Sequence, residues 1–171
     1  MSELDEFRQM KDEFFRDHFQ SPLTAEQKKE FKGLPYYPEN PDLRFELSLQ
    51  AYNQPGRVQM QTSTGAVQDY IRAGQIHFEV NGEPVFLQVY QSADGAGGYF
   101  LPFVDATAPA ETYGAGRYLE PEPLGGDLLA VDFNLAYNPY CAYNDRWSCP
   151  LPPAENRLTA RIEAGEKRFH V

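Results

Sequence analysis

Residues 76–89 read IHFEVNGEPVFLQV, and this stretch decides the fold class. Apolar and polar residues alternate on both sides of Asn81-Gly82, a pair suited to a two-residue type I′ turn between antiparallel strands. A loop of that length fixes which residues face each other across the hairpin. The predicted opposite pairs are Phe78 with Val85 and Ile76 with Leu87. The sequence therefore predicts an antiparallel hairpin with one aliphatic face directed to a core.

Alternation of apolar and polar residues recurs outward along the chain and predicts further short strands. No helical crossover separates these strands, which argues against a parallel α/β sheet. We expect a mainly β fold of the α+β class, built as an antiparallel β-barrel or sandwich. The predicted strands span residues 43–49, 58–62, 67–72, 76–80, 85–89, 99–104, 116–119, 128–134 and 158–162, with a loop at 92–98.

Helical periodicity is confined to the N-terminal part of the chain. Apolar residues recur at helical spacing over residues 3–19, behind an N-cap formed by Ser2 with Asp5. A second, shorter helix opens at Thr24, with Gln27 in the capping-box position. We expect a single domain over 1–171, in which a helical segment, 1–33, packs on a β domain, 43–171, that ends in a long irregular segment.

Composition bounds the class of protein. The 171 residues carry a net charge of −10, which disfavours binding to nucleic acid. A chain of this length buries about 70% of its unfolded surface, enough for a core without a metal or disulfide. The N-terminal sequence, MSELDEFRQMKDEFF, fits neither a signal peptide nor a membrane span. We therefore expect a cytoplasmic protein that makes no membrane contact and keeps its cysteines reduced.

The segment 113–156 concentrates the side chains that carry chemistry. Charged groups, amides and thiols placed this densely among aromatics and prolines are costly to bury unless they are partnered. The segment is thus either a satisfied polar network or a binding site. Its notable residues are Arg117, Asp132, Asn134, Asn138, Cys141, Asn144, Asp145, Trp147, Cys149, Glu155 and Asn156.

Long motifs stand out in and around this segment. They are YGAGRYL (113–119), DFNLAYNPYCAYN (132–144), CPLPPAENRL (149–158) and IEAGEK (162–167), with LPFVDAT (101–107) among the shorter ones. These motifs resemble those of a bacterial and archaeal family, DUF1684, a domain of unknown function, and the resemblance covers nearly the whole chain. It implies that the motif positions are where function lies, and it brings no established reaction with it.

Arg117 gives the sharpest indication of a ligand. A buried arginine on a strand needs a carboxylate partner or an anionic ligand. Asp132 is the internal partner that we expect first, and Glu155 the second; such a pair would have a structural role. The first functional hypothesis is a pocket for a small polar or anionic molecule. Its predicted ligand-binding residues are Arg117, Asp132, Asn134, Tyr137, Asn138, Tyr140 and Asn156, although the amides also suit a role in holding loop backbones.

Two other functions compete with ligand binding. Cys141 is a candidate nucleophile for a thiol-dependent hydrolase or transferase, but none of the three histidines lies in the motif segment as its base. Asp132 and Glu155 are candidates for an acid–base pair. The spacing of cysteines and histidines matches no zinc pattern, and no cofactor can be named.

The third hypothesis is a protein-interaction module without catalysis. The aromatic and proline-rich loop 137–153 would then be an exposed patch. Burial of Trp147 distinguishes the cases: exposure favours an interface and burial favours a structural plug. The sequence predicts no oligomeric state.

Overall fold

The computed structural model describes residues 1–94 and 97–171. The loop predicted at 92–98 includes residues 95 and 96, which lie outside the described residues. In chain order the helices and strands are α1 (Glu3–Asp17), α2 (Ala25–Glu30), β1 (Arg44–Ser48), β2 (Gln50–Gln61), β3 (Val67–Val80), β4 (Glu83–Ser92), β5 (Leu101–Phe103), β6 (Arg117–Leu119), β7 (Glu122–Gly125) and β8 (Leu128–Asp132). Short 3₁₀ turns occupy Pro41–Leu43, Phe133–Leu135, Tyr140–Ala142 and Ala154–Asn156.

The hairpin that decides the fold forms as predicted between β3 and β4. Phe78 lies opposite Val85 and Ile76 lies opposite Leu87. The turn residue Asn81 has φ 51° and Gly82 has φ 80°, the left-handed pair that a type I′ turn requires.

The strands pair antiparallel in open sheets, ordered β1–β8–β7, β2–β3–β4 and β5–β6. This confirms the mainly β, antiparallel fold, and of the two predicted architectures the sandwich-like one is found. Apolar faces of the three sheets meet around the buried ring of Phe133. Its centroid lies 5.3 Å from that of Phe78 on β3, 5.4 Å from that of Phe103 on β5 and 6.2 Å from that of Phe45 on β1. Burying such a ring contributes about 1.5–3 kcal/mol.

Some strand predictions need correction. The stretches 67–72 and 76–80 form one strand, β3, with an irregular register between Arg72 and Gly74. The edge strand β7 was not predicted, because Pro123 weakens the strand pattern there. Residues 158–162 form no regular strand. Leu158 N donates to the Val104 carbonyl at 2.7 Å, but the Ile162 amide donates to a side chain, the Asp105 carboxylate, at 2.6 Å.

Both predicted helices are present with their predicted caps. Ser2 and Asp5 form a capping box on α1, and Thr24 and Gln27 form one on α2. The first helix packs on the rest of the chain through Phe15, whose ring centroid lies 5.2 Å from that of Tyr143. None of the helices in the described part of the chain combines the length and apolarity needed to span a bilayer.

Candidate functional site

Arg117 lies on β6 with only 1% of its surface exposed. Its Nη2 donates to the Asp105 carboxylate at 3.3 Å and to the Ile162 carbonyl at 2.9 Å. Its Nη1 donates to the carbonyls of Ala164 and, at 3.2 Å, Glu166. Burial lowers the pKa of the guanidinium, and the adjacent Asp105 carboxylate opposes that shift. The arginine thus ties the irregular stretch 162–166 to the sheet.

The predicted partner of Arg117 was wrong. Asp132 instead accepts from Arg44 at 3.0 Å, across the β1–β8 pair, and Glu155 forms a bidentate pair with Arg72 on β3. The strand register places Asp132 beside Arg44 and leaves Asp105, two residues after β5, to reach Arg117. Since Asp132 and Glu155 belong to separate ion pairs, the structure does not bring them together as an acid–base pair.

Glu166 is a second buried charge, and the sequence did not single it out. It is 1% exposed and forms an ion pair with Lys11 of α1. Its Oε1 accepts from the Tyr143 hydroxyl at 2.9 Å and from the backbone amide of Asn138 at 3.1 Å. Burial, reinforced by this carboxylate, raises the pKa of Tyr143 well above its ordinary value. The only sequence signal was the position of Glu166 in the IEAGEK motif.

The asparagine side chains that were predicted to contact a ligand form hydrogen bonds with backbone groups instead. The Asn134 side chain accepts from Asn40 N at 2.8 Å and donates to Asn40 O at 2.9 Å. Asn156, with no exposed surface, makes the same two contacts with Gln88 at 2.9 Å and donates to the Pro102 carbonyl at 2.8 Å. Asn138 donates to the Lys167 carbonyl at 3.0 Å. Their contact with a ligand stays a prediction, as does that of Arg117.

A cleft of ≈ 690 Å³ lies elsewhere in the motif segment. We call it the aromatic cleft and define it by the lining residues Tyr70, Phe100, Tyr118, Tyr137, Glu120 and Glu122. Strands β3, β6 and β7 supply Tyr70, Tyr118 and Glu122. A bridge outside the named strands sets Tyr137 beside Tyr118, with amide-to-carbonyl distances of 2.8 and 3.0 Å.

The four rings of the aromatic cleft form a continuous row. Tyr70 stacks on Phe100 with centroids 5.5 Å apart, and Phe100 meets Tyr118 edge-on at 4.8 Å. Tyr118 meets Tyr137 edge-on at 5.8 Å. The row ends at a carboxylate, because the Tyr137 hydroxyl donates to Glu120 at 2.7 Å. Burial raises the pKa of Tyr70, Tyr118 and Tyr137, so their hydroxyls stay protonated at neutral pH.

Tyr137 and Tyr140, which were predicted as pocket walls, do come together. Both line a second hollow, a groove of ≈ 480 Å³ along α1 beside Phe7, Met10 and Phe14. Lys11 lies above the Tyr137 ring, 5.1 Å from its centroid. Tyr137 therefore separates this groove from the aromatic cleft and belongs to both.

The two cysteines lie side by side. The Cys141 amide donates to Cys149 Sγ at 3.2 Å, and the Tyr113 hydroxyl lies 3.6 Å from Cys141 Sγ. Hydrogen bonds from Cys149, then Tyr113 and Ser63, lower the pKa of Cys141 to about 6 against the opposing effect of burial. No histidine is among these hydrogen-bonding groups in the described residues. The thiol-dependent hydrolase or transferase stays a prediction.

Trp147 is half-buried, so its burial favours neither an exposed interface nor a structural plug. Its Nε1 donates to the Pro22 carbonyl at 3.1 Å. Asn144 and Arg146 donate to the same carbonyl at 2.8 and 2.9 Å. The loop thereby anchors the connection between α1 and α2, while the interaction hypothesis stays a prediction.

Within residues 1–94 and 97–171, no group of three or more His, Cys, Asp or Glu side chains is arranged to hold a metal ion.

Residues 29–167 match the family model DUF1684, described as a protein of unknown function. The chain belongs to the DUF1684 family. The matched region includes Arg117, the whole aromatic cleft and both cysteines. No curated protein matches the chain.

A solved structure extends this family assignment to the whole fold. The solution NMR structure of an uncharacterized protein from Haloarcula marismortui is 40% identical to this chain. The match covers 96% of this chain and 91% of that one, with a TM-score of 0.73. The fold of this chain is therefore shared with that uncharacterized protein over nearly its whole length.

Proposed function

We propose that the protein binds a small polar molecule with an organic ammonium group in the aromatic cleft. The observation that carries this proposal is the row of four rings that ends at Glu120. It retains the predicted pocket in the 113–156 segment, because Tyr118, Glu120, Glu122 and Tyr137 come from that segment. It replaces the anionic group of the first hypothesis by a cationic one.

The chemistry of the rings favours a cation. An ammonium group over an aromatic face gains about 0.5–2 kcal/mol, more when water is excluded. Protonated tyrosine hydroxyls leave the rings uncharged, and each hydroxyl oxygen can still accept a hydrogen bond. A volume of ≈ 690 Å³ is in the range of small-molecule sites.

Charge favours the same ligand. Among the described residues, Glu120 and Glu122 lie in no ion pair with a lysine or arginine. An unpaired carboxylate beside aromatic rings attracts a cation and repels an anion. Arg117, the one charge that suggested an anionic ligand, donates to Asp105 and to three carbonyls instead.

The test is calorimetric titration with choline and with dimethylbutanol, its uncharged carbon analogue of the same shape. We expect choline to bind at least about fivefold more tightly, the equivalent of about 1 kcal/mol. Replacement Glu120→Gln should weaken choline binding about threefold to tenfold and leave the affinity for dimethylbutanol unchanged.

Glu26→Gln, an exposed change on α2, is the matched control and should alter neither affinity. Equal affinity for the charged and uncharged probes would contradict the proposal. So would a Glu120→Gln variant that binds choline as well as the native protein does.

A further inference from the structure

Neither Cys141 nor Cys149 lines the aromatic cleft. Both thiols are free; Cys149 is buried and Cys141 is partly exposed. The Cys141 amide donates to Cys149 Sγ at 3.2 Å, which places the backbone of one cysteine against the sulfur of the other. A disulfide needs β-carbons about 3.5–4.5 Å apart. Because Cys149 Sγ already lies against the backbone of Cys141, the Cys141 side chain is within reach of it.

Neighbouring groups hold the pair in place. Ser63, in the turn between β2 and β3, accepts from the Cys149 amide at 3.1 Å through Oγ and donates its own amide to the Cys149 carbonyl at 2.9 Å. Tyr113 lies on the other side, with its hydroxyl 3.6 Å from Cys141 Sγ. The titratable groups that act on the pair are Tyr113 and Tyr118, and burial keeps both protonated at neutral pH.

The two thiols differ in a way that assigns them different roles. Hydrogen bonds from Cys149 and Tyr113 stabilise the Cys141 thiolate, and Cys141 is also the more exposed sulfur. The Cys141 thiolate and burial raise the pKa of Cys149, so that thiol keeps its proton. The exposed thiolate is the attacking sulfur in thiol–disulfide exchange, and a protonated neighbour within reach is the resolving one.

We propose that Cys141 and Cys149 form a thiol–disulfide exchange site for low-molecular-weight disulfides. The Cys141 thiolate attacks one sulfur of the small disulfide, whose S–S bond breaks and releases a thiolate. Cys149 passes its proton to that thiolate and attacks Cys141 Sγ, which releases the second half as a thiolate. Two electrons pass from the cysteines to the small disulfide, and the protein is left with a Cys141–Cys149 disulfide.

The experiment uses oxidised glutathione and follows intact mass and mapped peptides. The native chain should lose two hydrogen atoms without retaining glutathione. Cys149→Ser should stop at a stable glutathione adduct on Cys141, and Cys141→Ser should not react. An adduct that persists on the native chain, or a Cys141→Ser variant that reacts at the native rate, would overturn the proposal.

Alkylation of the native chain by iodoacetamide gives a test that needs no variant. With a thiol pKa of about 6, the mapped rate at Cys141 should rise only about twofold between pH 6 and pH 7. A free cysteine rises about tenfold over that interval, because its pKa is about 8.5. This ratio does not depend on how accessible the sulfur is, so a tenfold rise at Cys141 would overturn its role as the attacking thiolate.

Tyr113→Phe tests the hydroxyl beside the thiolate. It should slow exchange with oxidised glutathione about threefold, because one hydrogen bond to the charged sulfur is lost. Tyr52→Phe is the matched control, since it removes a hydroxyl from an exposed tyrosine on β2, and it should leave the rate unchanged. Equal rates in both variants would contradict the contact as a source of reactivity.

Discussion

The Arg117 network and the aromatic cleft both contain a residue of the motif YGAGRYL (113–119), Arg117 in one and Tyr118 in the other. They differ in whether a charged side chain has a partner of opposite charge. Around Arg117, the guanidinium and the Asp105 carboxylate are both almost wholly buried and paired. In the aromatic cleft, Glu120 is exposed beside Tyr137 and has no cationic partner among the described residues. A charge whose partners come from its own chain stabilises the fold, whereas a charge without one is available to a ligand.

The largest expected effect lies in the Arg117 network. Arg117→Met should lower the free energy of unfolding by about 3–5 kcal/mol, because it leaves the Asp105 carboxylate buried without its counter-charge. Denaturant unfolding followed by circular dichroism measures the loss. The matched change Arg44→Met breaks an exposed pair with Asp132 and should cost about 0–1 kcal/mol. Similar losses for both variants would remove the distinction between buried and exposed charge.

An intermediate effect is expected from buried tyrosines at alkaline pH. Tyr118 and Tyr143 are 7% and 1% exposed, and burial raises the pKa of both above 10, the value in the unfolded chain. A raised pKa favours the protonated, folded form, so this stability is present below pH 10 and is lost as the pH rises above it.

By linkage, each such tyrosine should cost about 1.4 kcal/mol per pH unit above 10. The measurement is denaturant unfolding at a series of alkaline pH values. Tyr143→Phe should flatten the decline, and an unchanged slope in that variant would show that Tyr143 ionises freely in the folded protein.

The smallest effect on stability is expected at the aromatic cleft. Glu120→Gln should change the free energy of unfolding by no more than about 0.5 kcal/mol, because the residue is exposed and a glutamine oxygen can also accept from the Tyr137 hydroxyl. The same variant should lose choline affinity, so at Glu120 a loss of binding is expected without a loss of stability. A loss of more than about 2 kcal/mol in denaturant unfolding would mean that Glu120 belongs to the scaffold.

Local patterns were sufficient for the hairpin and the helix caps. The register of Phe78 against Val85 follows from a two-residue turn, and the caps at Ser2 and Thr24 involve residues only three positions away. Such features depend on backbone geometry over a few residues, which neighbouring side chains determine directly. The strand predicted at 158–162 does not form as a regular strand. The Ile162 amide there donates to the side chain of Asp105, 57 residues away in the sequence.

The candidate site shows the same division. The sequence located the segment 113–156 and predicted Tyr137 as a wall, and that residue does line the aromatic cleft. It did not find Tyr70 or Phe100, which come from strand β3 and from the approach to β5. The alternation of apolar and polar residues around Tyr70 and Phe100 is the same whether an aromatic ring lines a cleft or lies on a solvent-exposed strand face.

By itself, the amino-acid sequence determined the antiparallel β class, the hairpin register, the capped helices and the segment where polar chemistry concentrates. Only the tertiary structure decided that Arg117 pairs with Asp105, that Glu120 lies beside four rings with no lysine or arginine partner in the described part of the chain, and that Cys141 touches Cys149. The reason is physical: turns and caps arise from contacts between near neighbours in the chain. The partner of a charge, a ring or a thiol is instead set by how distant strands pack, and a local pattern does not contain that information.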